Sequence, residues 1–377
     1  MAGLYIHIPF CKQACSYCNF HFSTRLETMD ALVDAIIAEM NMRSDYLSGP
    51  QLDSVYFGGG TPSLLSRHQL DRIWRAIECH FDLSDKVEIT LEANPDDLHS
   101  EKLVMLADTA VNRLSIGVQS FRERDLVFMH RAHNAVQAKS CLTAAIHKGF
   151  DNLSIDLIYG IPGLTDDDWE ENLRIMAEFP INHLSCYALT VEPRTLLAHQ
   201  IKTHQVESTS DEHSANQFKL LMEYARDRGW LHYEISNFAK PGFIAVHNGN
   251  YWKQEEYLGL GPSAHSYNGV SRSWNVANNA QYVRSIGENV LPLSQEKLEV
   301  EQVYNEYIMT GLRTIWGCSL EHLASLGDSF SIYFQQEVKQ FVDRKWVFNK
   351  EGIFTLTDEG KLFADHISSE LFMVESP

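Results

Sequence analysis

Three cysteines, Cys11, Cys15 and Cys18, fall within eight residues in the run CKQACSYC, directly after the apolar stretch LYIHI. Thiolates spaced C-x3-C-x2-C on one short loop can converge on a single cuboidal iron–sulfur cluster. Structural zinc takes four ligands, usually as two separated pairs, and here the run stops at Phe20 without a fourth cysteine. A [4Fe–4S] cube held by three cysteines keeps one iron free of protein ligands and open to a chelating small molecule. Three unconnected thiols, or a redox trio, are the plainer alternatives. Cys79, Cys141, Cys186 and Cys318 are scattered through helix-like or strand-like segments. We expect those four to be buried small hydrophobes.

Such a loop needs elements to hold it. Strand-like runs recur at LYIHI (4–8), DSVYF (53–57), VEITLEA (87–93), RLSIGV (113–118), NLSIDLIY (152–159) and HLSCYAL (183–189). Helix-like stretches lie between them at 28–47, 67–81, 100–109, 134–150 and 166–179, with helical spacing at Ile36, Met40 and Arg43 and at Ile73, Trp74 and Ile77. Ser66 with Gln69, and Thr165 with Asp168, have the form of N-terminal capping pairs. Strand–helix repetition predicts parallel strands joined by right-handed crossovers. Six units predict an α/β fold, a partial or complete β/α barrel, over 1–238. In such barrels chemistry sits at the C-terminal ends of the strands. The cysteine loop, Gly58-Gly59-Gly60-Thr61, Asn94-Pro95, Gln119-Ser120, Gly160–Gly163 and Thr190 all follow strand ends. Nearly every unusual cluster therefore falls on one face.

Residues 239–298 are rich in Gly, Asn, Tyr and His and read as a loop-rich linker. Residues 299–377 read as helices, then two short strands around Asn349–Gly352, then a last helix from Asp358. That order predicts a small winged-helix-like module with a packing or partner role.

The chain has 377 residues, 31 Lys plus Arg against 50 Asp plus Glu, and a formal charge of −19. That balance argues against holding nucleic acid through its phosphates. A 44% hydrophobic share is enough for a real core. No signal-peptide pattern and no run near the roughly 20 apolar residues of a membrane helix is seen, so we expect a cytoplasmic protein without an integral membrane segment.

Other side chains can serve a polar ligand at the barrel mouth. The triple glycine lets backbone groups approach a ligand closely, although an ordinary tight turn has the same look. Glu92 accepts hydrogen bonds, Gln119 donates and accepts, and Arg131 can clamp a carboxylate. Asp156 interrupts an apolar run and must face a polar ligand or a partner; an ion pair with Arg131 is the alternative.

With Tyr17 just before the third cysteine, the loop resembles the radical S-adenosylmethionine (SAM) superfamily. That resemblance implies a [4Fe–4S] cluster whose open iron is chelated by SAM, with the cofactor pair carrying the chemistry. The order GGGTP, LEANP, GVQSF, Arg131-x-His133 and SIDLIYGIPG is similar to the oxygen-independent coproporphyrinogen dehydrogenase family over nearly the whole chain. It implies SAM contacts at Tyr5, Tyr17, Gly59, Gly60, Thr61, Glu92, Gln119, Arg131 and Asp156. Two features differ from the dehydrogenases: Phe20 stands where they carry a further cysteine, and only three residues precede Leu4-Tyr5.

HNGNYW (247–252) matches an H-N-x-x-Y-W pattern of the family's haem chaperone branch. His247 offers an imidazole to haem iron, and Tyr251 and Trp252 offer flat apolar surface to a porphyrin. His265 is another possible axial ligand. The resemblance implies that the chain binds haem b and delivers it to an acceptor apoprotein such as a respiratory enzyme, the cluster and SAM controlling assembly or transfer, with a homodimer as one possible form. Oxidative decarboxylation of coproporphyrinogen III is the rival expectation.

Overall fold

The computed structural model describes residues 2–373. Six strands pair in parallel in chain order: β1 (Ala2–Ile8), β2 (Gln51–Gly59), β3 (Asp82–Ala93), β4 (Arg113–Gln119), β5 (Leu153–Tyr159) and β6 (His183–Ala188). The crossovers are α1 (Met29–Met42), α2 (Arg67–His80), α3 (Ser100–Ala107), the short α4 (Glu123–Phe128) with α5 (Ala135–His147), and α6 (Asp166–Met176). These elements realise the expected partial β/α barrel. Both expected capping boxes form: Ser66 Oγ accepts from Gln69 N while the Gln69 side chain returns to Ser66 N, and Thr165 and Asp168 do the same. Each starts a helix at the residue the sequence marks.

The alternation along the strands is reversed relative to a packed barrel. Leu4, Ile6 and Ile8 of β1 are fully buried against the helices, as are Leu114, Ile116 and Val118 of β4. The intervening positions carry Tyr5 and His7, Tyr56 and Gly58, Arg113 and Ser115, Ser154 and Asp156. A barrel filled by branched aliphatics is a core; one lined by phenols, carboxylates and hydroxyls is a lumen. The hydrophobic core is consequently the layer between the strands and the outer helices.

Past β6 come α7 (Leu196–Lys202), α8 (Asp211–Asp227) and the antiparallel β7 (Leu231–Glu234) and β8 (Asn237–Ala239). Residues 239–298 are not the loop that their composition suggests. They form α9 (Val246–Trp252), β9 (Glu256–Leu260), β10 (His265–Tyr267), β11 (Ser271–Asn275), α10 (Asn279–Gly287) and β12 (Leu293–Lys297). β9 pairs in parallel with β1, and the other three strands continue the sheet antiparallel, in the order β12-β11-β10-β9-β1. β10, β11 and β12 are short and polar, so no apolar period announces them, and β9 carries only Leu258 and Leu260 as a buried alternating pair. A buried network holds them instead. Arg43, at the end of α1, bonds Glu39 Oε1 and Gly259 O at 3.2 Å, and Ser266 and Ser273 Oγ at 3.1 Å. Glu39 in turn accepts from Gly261 N, Asn275 Nδ2 and Tyr282 Oη. Arg43 thus occupies the helical period as a polar anchor.

The last segment builds α11 (Val300–Leu312), β13 (Cys318–Ser319), α12 (Leu320–Leu326), α13 (Asp328–Asp343), β14 (Val347–Lys350), β15 (Ile353–Leu356), α14 (Asp358–Lys361) and α15 (Ala364–Glu370). It has its own core around Tyr304, Phe334, Phe341 and Phe354, and a three-stranded sheet ordered β13-β15-β14. The expected final helix is broken in two near Leu362. The module docks on the barrel's outer edge: Ile235 N donates to Arg313 O and Ile315 N to Tyr233 O, both at 3.1 Å, and Arg313 pairs with buried Glu234. Cys141, Cys186 and Cys318 are buried as expected, whereas Cys79 is exposed on α2.

Candidate functional site

The cysteine loop leaves β1 and is pinned from several sides. Cys11 N donates to Ser23 O at 3.0 Å, Ser16 N to Met129 O at 3.0 Å and Leu197 N to Ser16 O at 2.8 Å, while Lys12 Nζ reaches Asp96 at 2.7 Å. Cys11, Cys15 and Cys18 are half-buried and border one cavity of about 450 Å³ at the C-terminal ends of the strands. Among the described residues no trio of His, Cys, Asp or Glu surrounds the position of a single ion. The thiols instead rim a space, and a cubane holds its cysteines at separate corners. Desolvation pushes the Cys11 thiol up to about 11 and raises Cys18 as well. Metal binding would have to displace those protons. Arg131 Nη1 lies 3.2 Å from Cys15 Sγ, a donor aimed at a sulfur. This donor set fits an iron–sulfur cluster.

The glycines are required by space. Gly59 has φ +105°, and an added Cβ would lie 2.6 Å from the His7 ring. At Gly60 it would lie 2.7 Å from Phe10 N and O, at the root of the cysteine loop. Gly117 on β4 leaves room for the Gln119 and Arg131 side chains, which its Cβ would meet at 2.9 and 3.2 Å. Gln119, in the left-handed region at φ 65°, turns off the strand end beside the cavity. Thr61 is buried, its Oγ1 3.5 Å from Cys11 Sγ and bonded by Asn94 Nδ2.

Below the cysteines the cavity narrows onto carboxyls. Glu92 Oε1 accepts from Tyr56 Oη at 2.7 Å and Oε2 from Gly59 N at 3.1 Å. Desolvation raises its pKa to about 7 despite those bonds, with Asp156 adding to the rise. Asp156 is raised by burial to about 6, against the pull of Ser185, Arg113 and Arg131. Tyr187 is enclosed by protein yet keeps 45% of its surface free, because that surface faces the lumen. Arg131 does not bond Asp156; its donors go to Cys15, to Asn94 Oδ1 at 2.6 Å and to Gly117 O at 2.9 Å. Such a cavity offers backbone cradles, a guanidinium and two carboxyls to a ligand bearing both charges and hydroxyls.

Of the residues marked in the sequence, Tyr17, Gly59, Gly60, Thr61, Glu92, Gln119, Arg131 and Asp156 border this cavity with the cysteines. Tyr5 lies deeper, its hydroxyl 3.0 Å from His7 Nδ1 and its ring stacked on Tyr56 and His247. Of the HNGNYW residues, Tyr251 and Trp252 meet edge to face, ring centroids 5.1 Å apart, but His247 does not join them. Their run is the helix α9, whose first backbone N–H groups are held by Glu88 Oε1 at 2.9 and 3.2 Å. His247 points into the floor of the lumen, Nδ1 2.9 Å from Ser54 Oγ and ring 5.0 Å from that of Tyr56. Tyr251 lies 44% exposed outside, and Trp252 packs beneath the guanidinium of Arg313 at 5.3 Å. His265 is exposed on β10, stacked on Trp274. Asn94, already placed at a strand end on this face, borders the cavity, and Ser115 and Tyr187 border it without having been marked; the period-two alternation of β4 and β6 carries that signal, since each lies two residues from another lumen position.

Residues 5–176 match the radical SAM superfamily and residues 298–363 the HemN C-terminal domain. The chain is 34% identical over 374 residues to "Heme chaperone HemW" of Bacillus subtilis (strain 168), covering 97% of this chain and 98% of that one. It is 32% identical to "Heme chaperone HemW" of Lactococcus lactis, covering 94% and 93%. Its fold is similar to the solved coproporphyrinogen III oxidase (HemN) from Escherichia coli, described as a radical SAM enzyme, with TM-score 0.85, 22% identity and coverage of 99% and 90%. No helix of the described residues is long and apolar enough to cross a membrane.

Proposed function

The chain belongs to the radical SAM family whose curated members include the HemW proteins, and on that premise we propose that it is a haem chaperone. In this reading it binds haem b together with a SAM-ligated [4Fe–4S] cluster. It then transfers the haem to an acceptor apoprotein, such as a respiratory enzyme, in the cytoplasm. Cys11, Cys15 and Cys18 hold the cluster. When bound, cluster and SAM supply one-electron chemistry. The chain's own part is positioning. Gly59, Gly60 and Thr61 receive the methionine end of SAM, Arg131 and Gln119 its carboxylate and polar groups, and Glu92 and Asp156 its hydroxyls and positive charge. Tyr5 steadies this set from below through Tyr56, and Tyr17 closes the loop side.

The observation that carries the haem assignment is a shared neighbour. Tyr56 stacks on His247 and donates to Glu92, so the proposed haem ligand and a proposed SAM contact lie on two sides of one side chain. His247 is held neutral, burial pushing it down to about 4, which is the ligating form of imidazole. With α9 seated, its ring is shut between aromatic neighbours. Haem therefore reaches it only after α9 swings outward, bringing Tyr251 and Trp252 to the porphyrin face. Access by displacement makes uptake and release switchable by a partner.

The test is anaerobic reconstitution followed by haem titration. The reading expects a Soret band that changes on His247→Ala and haem delivery to an apo-acceptor. Turnover of coproporphyrinogen III with SAM consumption, and no haem transfer, would overturn it in favour of the dehydrogenase. Loss of the cluster in a triple cysteine variant that still binds haem would separate the two sites.

A further inference from the structure

Taken alone, α9 is a poor helix. It is seven residues long, and Asn248, Gly249 and Asn250 are weak helix formers. Among the described residues, Asn250 Nδ2 and Gln254 Nε2 are buried without a hydrogen-bond partner, and a buried donor left unpaired opposes the packing that buries it. Left-handed backbone lies on both sides of the helix, at Gly242 (φ +89°) and Gln254 (φ 58°). Its inward anchors, Glu88 and Ser54, hold the first turn, at Val246 N, His247 N and the His247 ring.

The second turn is held from outside, by the C-terminal module. Residues 313–317 follow α11 and are fixed before they reach α9. Thr314 forms an antiparallel bridge with Glu234, and Ile315 N donates to Tyr233 O at 3.1 Å. Gly317 has φ +65°, and an added Cβ there would lie 2.2 Å from Phe354 O, so glycine lets the segment lie against β15. Two side chains of this segment reach α9. The Arg313 guanidinium lies 5.3 Å from the Trp252 ring while its nitrogens bond Glu234 and Asp365. Lys253, the residue that ends α9, puts Nζ 4.3 Å from the Trp316 ring. The same ring lies 3.6 Å from where a Cβ on Gly249 would stand. The chain between α9 and these residues runs through β9, β10, β11 and β12, so the contact joins two distant parts of the sequence.

We propose that the C-terminal module is a latch on α9: Arg313 and Trp316 are positioning residues that keep the helix seated, and so set how often His247 opens to haem. This rests on the chaperone reading above. Neither residue touches haem; both act through α9. A ligand that needs the helix displaced binds no faster than the helix opens. The rate of haem uptake should therefore level off, as haem concentration rises, at the opening rate.

The experiment is stopped-flow mixing of the whole, anaerobically reconstituted chain with excess haemin. Trp316→Ala removes the ring and leaves the Arg313–Glu234 pair in place; it is expected to raise the plateau rate about tenfold. Gly249→Ala works in the opposite direction. Its methyl group meets Trp316 and Ile244 at 3.6 and 3.7 Å, ordinary contact distances, and is expected to lower the plateau about fourfold, the worth of one buried methyl group. A wild-type rate that rises linearly with haemin, and is the same in both variants, would overturn the latch. Hydrogen exchange reads the helix without haem. The Lys253 amide, which donates to Gly249 O, is expected to lose protection in Trp316→Ala and gain it in Gly249→Ala, with the six parallel strands unchanged. Loss spread over the whole barrel would overturn the proposal in favour of general packing. If Trp316→Ala does not fold, Gly249→Ala carries both readouts. A wild type that binds no haemin, with the Lys253 amide responding as expected, would overturn the chaperone reading and leave the latch standing.

Discussion

Tyr56 donates to Glu92 Oε1 at 2.7 Å, and the same ring lies 5.0 Å from His247. A hydrogen bond to a carboxylate is worth about 1.5–3 kcal/mol, so Tyr56→Phe is expected to weaken SAM binding at pH 7 by roughly tenfold. The loss should shrink above pH 8, where Glu92 ionises without help. The factor by which SAM changes haem affinity should also fall towards one in this variant. By linkage, haem's effect on SAM falls equally. Titrating each ligand in the presence of the other measures both factors; an unchanged factor in Tyr56→Phe sinks the idea.

Glu92 has a definite effect on stability. Burial raises it to about 7 from 4.5. Between those values the folded chain keeps a proton that the unfolded chain has released, so stability falls as pH rises through that window and levels off above it. At about 1.4 kcal/mol per pH unit, and discounting for its lumen face, the total fall across the window amounts to about 2 kcal/mol. Glu92→Gln should remove it. His7 and His247, both pushed down to about 4, act oppositely below pH 6.5. Comparing the variant with wild type at each pH cancels them. Urea melts at pH 5, 6, 7 and 8 on the protein without SAM or haem give the answer, and identical slopes would contradict the assignment.

Gly60→Ala places a Cβ 2.7 Å from the backbone of Phe10. Backbone cannot yield as a side-chain tip can, and overpacking of this kind costs about 1–3 kcal/mol. Because Phe10 adjoins Cys11, the strain falls on the cluster loop. We expect lower iron and sulfide content after reconstitution and faster bleaching in air, with the C-terminal module unaffected. Retention of a full cluster complement would show that the loop tolerates the shift.

The pair Arg43–Glu39 is buried at 5% and 0% exposure and ties α1 to the added strands. Removing one partner strands the other charge, at a cost of about 3–5 kcal/mol. Arg43→Met should therefore loosen β9–β12 before the six parallel strands. Hydrogen exchange should show protection lost first at Gly259 and Gly261, whose backbone groups bond the pair. Uniform loss across the sheet would refute a local role.

The parallel strands were legible because each carries an unbroken apolar face and ends at a turn or a chemically distinctive loop. Glu92 and Asp156 were legible because a carboxyl inside a strand run demands an explanation. The strands of 239–298 were not: SRSWN and LSQEK have no apolar period, and the residues that hold them, Glu39 and Arg43, lie more than 200 positions earlier. His247 was read as a loop residue because HNGNYW contains Gly and two Asn, poor helix formers. The carboxylate of Glu88 at the helix start outweighs that propensity. Arg113 escaped notice because an arginine at a strand start looks like a solvated end, whereas the period-two alternation of β4 puts it on the lumen side with Ser115.

On the proposed reading the seven-residue helix α9 is a removable floor to the lumen, where a conventional barrel is sealed by its own filling. The rim and the base are then separate doors. A nucleoside-bearing guest can arrive at the rim while a flat macrocycle waits at the base. Neither need pass the other, and Tyr56 stands where an occupant of one threshold is felt at the other.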